Sequence, residues 1–190
     1  SCGRRSVRPR TAAPPASYAD RVRIATWNIN SITTRLPRVV DWLQQTGTDV
    51  LCVQETKVAD TAFPTLPFEE IGYEVAHYGQ GRWNGVAVLS RVGIEDVERG
   101  FAADPGFPDG DTLEARAIGA TCGGVRVWSL YVPNGRTPDH PHYAYKLAWL
   151  AAITVHLRSQ VAASAPLAVV GDFNVAPTDA DVWDPAASVG

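Results

Sequence analysis

The chain contains no methionine, only two lysines among its 17 basic residues, and three cysteines, Cys2, Cys52 and Cys122. An odd number of scattered cysteines without C-x-x-C spacing excludes a disulfide framework and offers no zinc-site pattern. Cys52 lies within an apolar run and reads as a small core residue. No apolar run approaches the ~20 residues that cross a membrane, and no apolar core near the N-terminus marks a signal peptide. The expectation is a soluble, cytoplasmic protein with no membrane partner.

Positive charge is also scarce over most of the chain. The net charge is −3, but six of the 17 bases (Arg4, Arg5, Arg8, Arg10, Arg21, Arg23) fall in the first 23 positions, where Asp20 is the only acid. The remainder holds 11 bases against 19 acids, a net of −8. Bulk charge of that sign does not mark a nucleic-acid binder, so any phosphate-binding surface must be local or lean on a metal. Fifteen arginines against two lysines, with abundant alanine, have the composition of a GC-rich bacterial genome.

What is present is ordinary globular material: 190 residues, 45% hydrophobic and 9% aromatic, enough for one domain with a sizeable core. Residues 1–21, rich in Arg, Pro, Ala and Ser and without hydrophobic period, read as a flexible basic leader, and residues 22–190 as a single domain without repeats. The spacing predicts a strand over 22–27. An amphipathic helix follows, with Leu36, Val39, Val40 and Leu43 on its inner face, Pro37 in its first turn and Gly47 at its stop. A strand over 50–53 runs into Gln54-Glu55-Thr56-Lys57. Strands over 73–77 and 86–89 flank a long turn, 103–111 is a surface loop, and 115–121 with 125–132 make a hairpin in which Val125, Val127, Ser129 and Tyr131 share a face. Asp139 is placed to cap a long helix with Pro141 in its first turn and Leu147, Leu150, Thr154, Leu157 and Val161 as its inner stripe. Strands and helices in this order predict an α/β sandwich with helices outside.

The chemistry gathers where apolar runs end. Leu167-Ala168-Val169-Val170 reads as a buried strand, Gly171 allows a turn or close approach to a ligand, and Asp172 and Asn174 present oxygens two positions apart. Two other runs end alike, one in Asn28 and one in Gln54-Glu55. If the three strands are neighbours in one sheet, their ends converge where open sheets bind ligands. Two carboxylates and two amides (Glu55, Asp172, Asn28, Asn174) then form a site for Mg²⁺ that keeps several waters.

Five motifs in order, Trp27-Asn28-Ile29-Asn30, Gln54-Glu55-Thr56-Lys57, Gly85-Val86-Ala87-Val88-Leu89-Ser90, Tyr131-Val132-Pro133-Asn134-Gly135 and Gly171-Asp172-Phe173-Asn174, resemble the exonuclease III family of abasic-site DNA repair endonucleases, within the endonuclease/exonuclease/phosphatase superfamily. The resemblance implies a four-layered α/β sandwich of the DNase I type. It also implies cleavage of double-stranded DNA beside abasic or 3′-blocked sites, dependent on Mg²⁺ with Mn²⁺ as a substitute, by a monomer. Exonuclease (3′ to 5′) and 3′-phosphatase activities belong to the same expectation. By position it assigns Asn28, Glu55, Asp172 and Asn174 to the metal site, and Tyr131, Asp172 and Asn174 to catalysis. DNA contacts are expected from Asn30, Lys57, Asn84, Arg116, Asn134 and Arg136, with Arg82, Trp83 and Arg91 as further candidates.

The resemblance breaks after Pro177. The family's closing Ser-Asp-His-x-Pro motif is absent, and Asp139-His140-Pro141 precedes a helix and is no substitute for it. With no methionine at position 1, the expectation is a fragment of a longer parent, with an incomplete second sheet and little activity of its own. Two other functions fit the same residues: a phosphatase of the superfamily acting on inositol phosphates or phospholipids, and a non-catalytic nucleic-acid-binding protein.

Overall fold

The run Val50-Leu51-Cys52-Val53 is apolar on both faces, and the fold gives each face a partner. The computed structural model describes residues 21–107, 113–161 and 166–184. The leader expected over 1–21 lies outside them apart from Arg21, as does the end of the loop expected over 103–111. All five residues of strand β2 (Val50–Gln54) are buried. Because strand side chains alternate, Leu51 and Val53 pack with Ile32, Val39 and Leu43 of helix α1 (Ile32–Thr46), whereas Val50 and Cys52 face Ile118, Ala120 and Val127 of a second sheet.

The first sheet has the order β1-β2-β4-β3, with β1 (Ile24–Asn28) parallel to β2 and with β4 (Val86–Ser90) and β3 (Glu74–Tyr78) antiparallel in turn. The second has the order β5-β6-β7-β8, formed by β5 (Glu95–Arg99), β6 (Ala117–Cys122), β7 (Val125–Tyr131) and β8 (Leu167–Asp172), of which β7 and β8 are parallel. Helix α1 and the short α2 (Leu66–Glu69) cover the outer face of the first sheet, and α3 (Pro141–Val161) covers that of the second through Tyr145, Trp149 and Ile153 against Trp128 and Leu130. These are the four layers expected from the motifs. Among the described residues no helix is long and apolar enough to cross a membrane.

Local differences from the sequence reading have physical causes. Helix α1 begins five residues before Pro37, at a cap where Ser31 Oγ accepts from the Thr34 N–H, so Pro37 lies inside the helix rather than in its first turn. Gly47 ends it as expected, in a left-handed conformation with its N–H on the Leu43 carbonyl. The inner stripe of α3 is Tyr145, Lys146, Trp149 and Ile153. Of the residues expected inside, Leu150 and Leu157 do pack, partly buried, against this core, whereas Leu147, Thr154 and Val161 are exposed, because the long aromatic side chains fill the space over Trp128. Its first turn is served by His140 Nδ1, which accepts from the His142 N–H at 3.1 Å, in place of Asp139. Strand β5, Glu-Asp-Val-Glu-Arg, escaped the pattern because it is a mostly exposed edge strand, bulged between Glu95 and Glu98, with no apolar alternation to read.

Gly171 has a role other than approach to a ligand. A Cβ there would sit 2.0 Å from the Leu130 carbonyl oxygen, so the glycine lets β8 close against β7. Gly171→Ala is expected to cost about 3 kcal/mol, read as a lowered denaturation midpoint with an unchanged urea m-value.

Candidate functional site

Strand β1 ends at Asn28, β2 is followed by Glu55, and β8 ends at Asp172. These three ends meet, but not within one sheet. β1 and β2 belong to the first sheet and β8 to the second, and the convergence runs across the sandwich. Asn28 Nδ2 donates to Glu55 Oε1 at 2.7 Å and to Asp172 Oδ2 at 2.9 Å, so one amide is shared by two carboxylates 117 positions apart in sequence. Gln54, grouped with these oxygens in the sequence reading, points elsewhere. It has the same strand parity as Val50 and Cys52, so its amide enters the space between the sheets and donates to Ser129 Oγ at 2.9 Å and Thr26 Oγ1 at 3.1 Å.

Burial pushes the Glu55 carboxyl up, yet its hydrogen bonds from Asn28, Lys57 and Tyr131 outweigh burial and hold it below the ordinary glutamate range. Lys57 Nζ stands 2.8 Å from Glu55 Oε2 and also donates to Asn30 Oδ1. The Tyr131 phenol is pushed up to about 12, first by burial and then by the negative charge of Glu55. It is therefore a donor at neutral pH. Asp172 Oδ1 accepts the Asn174 N–H at 2.9 Å, while Asn174 Nδ2 donates to the Val132 carbonyl at 2.9 Å and Asn174 Oδ1 faces Asn134 Nδ2 at 3.5 Å.

Sequence reasoning missed Lys146. It sits on α3, buried, with its ammonium donating to the Asn174 carbonyl; burial lowers its pKa, and the charge of Asp172 opposes that shift. The signal was available only as a lysine on the inner face of an otherwise apolar helix.

The backbone around the cluster is strained. Apart from Asp96 and Ala103, the non-glycine residues with positive φ among the described residues are Asn30, Ser31, Glu55, Lys57, Asn84, Arg136 and Asn174, all on the loops that surround it. Such conformations persist only where neighbours over-determine them, and they gather at working sites.

The remaining expected contacts divide. Arg116 is buried and does not stand free on the surface: its Nε lies 2.7 Å from Glu114 Oε2, an Nη donates to the Tyr131 carbonyl, and its guanidinium covers the Tyr131 ring at 4.9 Å. Glu114 also accepts from Asn84 Nδ2 at 3.1 Å and from the Tyr145 hydroxyl at 3.0 Å. Arg82, Trp83, Asn84, Arg116 and Arg136 line one open cleft of about 680 Å³, in which Trp83 is 70% exposed. Arg91 does not join it. In the antiparallel register Ser90 pairs with Val50 while Val86 pairs with Gln54, so Arg91 lies at the far end of the sheet, bound to Asp49 at 2.9 Å.

The donor set fits a hard divalent cation. Two carboxylates, Glu55 and Asp172, share one amide and are both only partly buried, as suits an ion that takes few protein oxygens and keeps much of its hydration. Among the described residues no cluster of three or more His, Cys, Asp or Glu makes a fuller cage.

The model of the endonuclease/exonuclease/phosphatase family matches residues 25–189. Exodeoxyribonuclease III of Haemophilus influenzae is 30% identical over 166 residues, covering 85% of this chain and 60% of that protein. Two solved structures superpose over 86% of this chain and 62% of their own. They are a 3′ phosphatase, NExo, from Neisseria bound to a product DNA hairpin (TM-score 0.79, 39% identity), and an AP endonuclease from Archaeoglobus fulgidus (TM-score 0.78, 41% identity). The chain thus spans about three-fifths of the length of these relatives.

The shared amide generates a direct test. In Asn28→Ala, the carboxyl of Glu55 loses a donor, and its NMR-monitored titration is expected to move up toward the ordinary range. The native Glu55 carboxyl contributes stability above the unfolded glutamate pKa of about 4.3 and loses it as the pH falls through the lowered folded value. The acid limb of the stability profile is therefore expected to flatten in the variant.

Proposed function

On the premise that the chain belongs to the endonuclease/exonuclease/phosphatase family, on the exonuclease III and AP endonuclease side of it, we propose that its protein is a Mg²⁺-dependent DNA repair nuclease. Its substrate is duplex DNA, cut 5′ to abasic sites, with 3′ to 5′ exonuclease and 3′-phosphatase action on blocked ends. The observation that carries this reading is the amide of Asn28 between Glu55 and Asp172, with the Tyr131 phenol on Glu55.

Glu55 and Asp172 would hold the cation, which when bound would supply polarisation of a phosphoryl oxygen and neutralisation of charge on the leaving group. The chain's own groups do the rest. Asp172, fixed by the Asn174 N–H and by Asn28, orients the attacking water and takes its proton. Asn174 spends one amide hydrogen on the Val132 carbonyl and keeps a second for a phosphate oxygen. Tyr131, braced from behind by Arg116, presents a neutral hydroxyl to the developing charge, and Lys57 supplies a cation beside it. The cleft lined by Arg82, Trp83 and Arg136 provides local positive and aromatic surface on an acidic body. A damaged nucleotide, unpaired, costs less to rotate out of the duplex, which favours lesions.

A phosphatase for small phosphate esters is the second reading, favoured by the net charge of −8 outside the leader. The test is incision of a labelled duplex carrying one abasic-site analogue, with Mg²⁺ or EDTA, by this chain and by the full product of its gene. The expected outcome is a Mg²⁺-dependent 5′ cut that falls on the order of 10³-fold in Glu55→Gln and in Asp172→Asn. Intact DNA together with hydrolysis of inositol phosphates would transfer the assignment to the phosphatase.

A further inference from the structure

One residue along from Glu55 begins a line of three polar groups, Thr56, His77 and Asp60, that takes no direct part in the chemistry proposed for the cluster. His77 of β3 is 6% exposed and Thr56 is fully buried, and the His77 Nε2 lies 2.8 Å from Thr56 Oγ1. On its other side His77 Nδ1 is 2.9 Å from Asp60 Oδ1, close but off the direction of an ideal N–H···O bond, and the same oxygen accepts the Gly79 N–H at 2.8 Å. Phe63 covers the imidazole, with ring centroids 4.3 Å apart.

The proton positions follow from the surroundings. Burial drives the His77 pKa down to about 4; Arg99 pushes the same way, and Asp60 opposes both. The ring is therefore neutral at physiological pH, and the carboxylate beside Nδ1 keeps the proton there. Nε2 is left as an acceptor, and the Thr56 hydroxyl donates into it.

This line is walled in by backbone. A Cβ at Gly79 would meet the imidazole at 2.4 Å and one at Gly85 would meet Thr56 Oγ1 at 2.0 Å, so neither side chain has room to turn aside. Thr56 itself donates its N–H to the Gly85 carbonyl and accepts the Ile32 N–H. On either side of it Glu55 and Lys57 adopt left-handed φ values of 56° and 55°. Release of Thr56 would orphan a buried hydroxyl and a buried ring nitrogen while letting two strained residues relax.

We propose that His77, held by Asp60, is a positioning residue that locks the Glu55-Thr56-Lys57 loop through the Thr56 hydroxyl and so fixes the direction in which Glu55 presents its carboxylate. The inference rests on the nuclease reading for what Glu55 is presented to, but the lock itself is a property of the chain alone.

Thr56→Val removes the hydroxyl at nearly constant volume, and Thr56→Ser keeps it. Each is compared with the parent chain by amide hydrogen exchange without metal and by calorimetric titration with Mn²⁺. In Thr56→Val, exchange at the Ser31, Ile32 and Lys57 amides is expected to quicken while β6 and β7 stay as protected as before, and Mn²⁺ affinity is expected to fall about 10-fold. Thr56→Ser is expected to remain within about twofold of the parent on both measures. Unchanged exchange and unchanged affinity in a folded Thr56→Val protein would overturn the proposal, as would equal losses in Val and Ser. Should Thr56→Val fail to fold, Asp60→Asn, at the half-exposed end of the line, decides by the same two readouts. A parent chain that binds no Mn²⁺ counts against the nuclease reading, and the exchange data then judge the lock by themselves.

Discussion

Two apolar sheet faces can slide over one another at little cost, and in this protein a buried hydrogen bond removes that freedom. Gln54 Nε2 donates to Ser129 Oγ at 2.9 Å, and Ser129 Oγ in turn reaches the Val53 carbonyl at 3.2 Å, both in the layer between the sheets. Both of these hydrogen bonds of the buried Ser129 hydroxyl go to β2, and leaving that hydroxyl unpaired would cost about 1–3 kcal/mol, which favours this register of β2 over β7. The residue that follows β2 is Glu55 and the second residue beyond Ser129 is Tyr131, and the Tyr131 hydroxyl donates to the Glu55 carboxylate. The site is thus an extension of the contact that aligns the sheets.

Around that contact the electrostatics are balanced locally. Glu55 and Asp172 face Asn28, Lys57, Lys146 and the Tyr131 phenol, so each negative group has a nearby donor or cation in an otherwise acidic body. Farther out, Glu114 gathers Arg116, Asn84 and Tyr145 into one hydrogen-bonded knot, and Arg116 carries that rigidity to Tyr131. Burial pushes Glu114 up, but the hydrogen bond and charge of Arg116 outweigh it and keep the carboxylate ionised. The strained loops bearing Asn30, Glu55, Lys57 and Asn174 are supported by interactions of this kind, which explains how so many left-handed residues can share one small region.

Much of the fold was legible because burial leaves a periodic trace. The doubly buried run of β2, the hairpin of β6 and β7 and the stop of α1 at Gly47 all follow from spacing and glycine placement. Strand β5 left no trace because an exposed edge demands no apolar residues. The inner face of α3 was legible only at Leu150 and Leu157, because aliphatic spacing alone does not reveal that Tyr145, Trp149 and Ile153 fill the gap over Trp128.

Sequence by itself determined which residues could form the cluster: Asn28, Glu55, Asp172 and Asn174 stand at or just past the ends of apolar runs, and the order of five motifs points to one family. Tertiary structure decided how they are brought together. The strand ends meet across two stacked sheets instead of within one, Gln54 turns inward by strand parity, and Arg116 is drawn down onto Tyr131. Lys146 arrives from a helix, and Thr56 is tied to His77 of β3. Local pattern records which face of an element is buried. What that face is buried against depends on how distant elements stack, and no local pattern carries it.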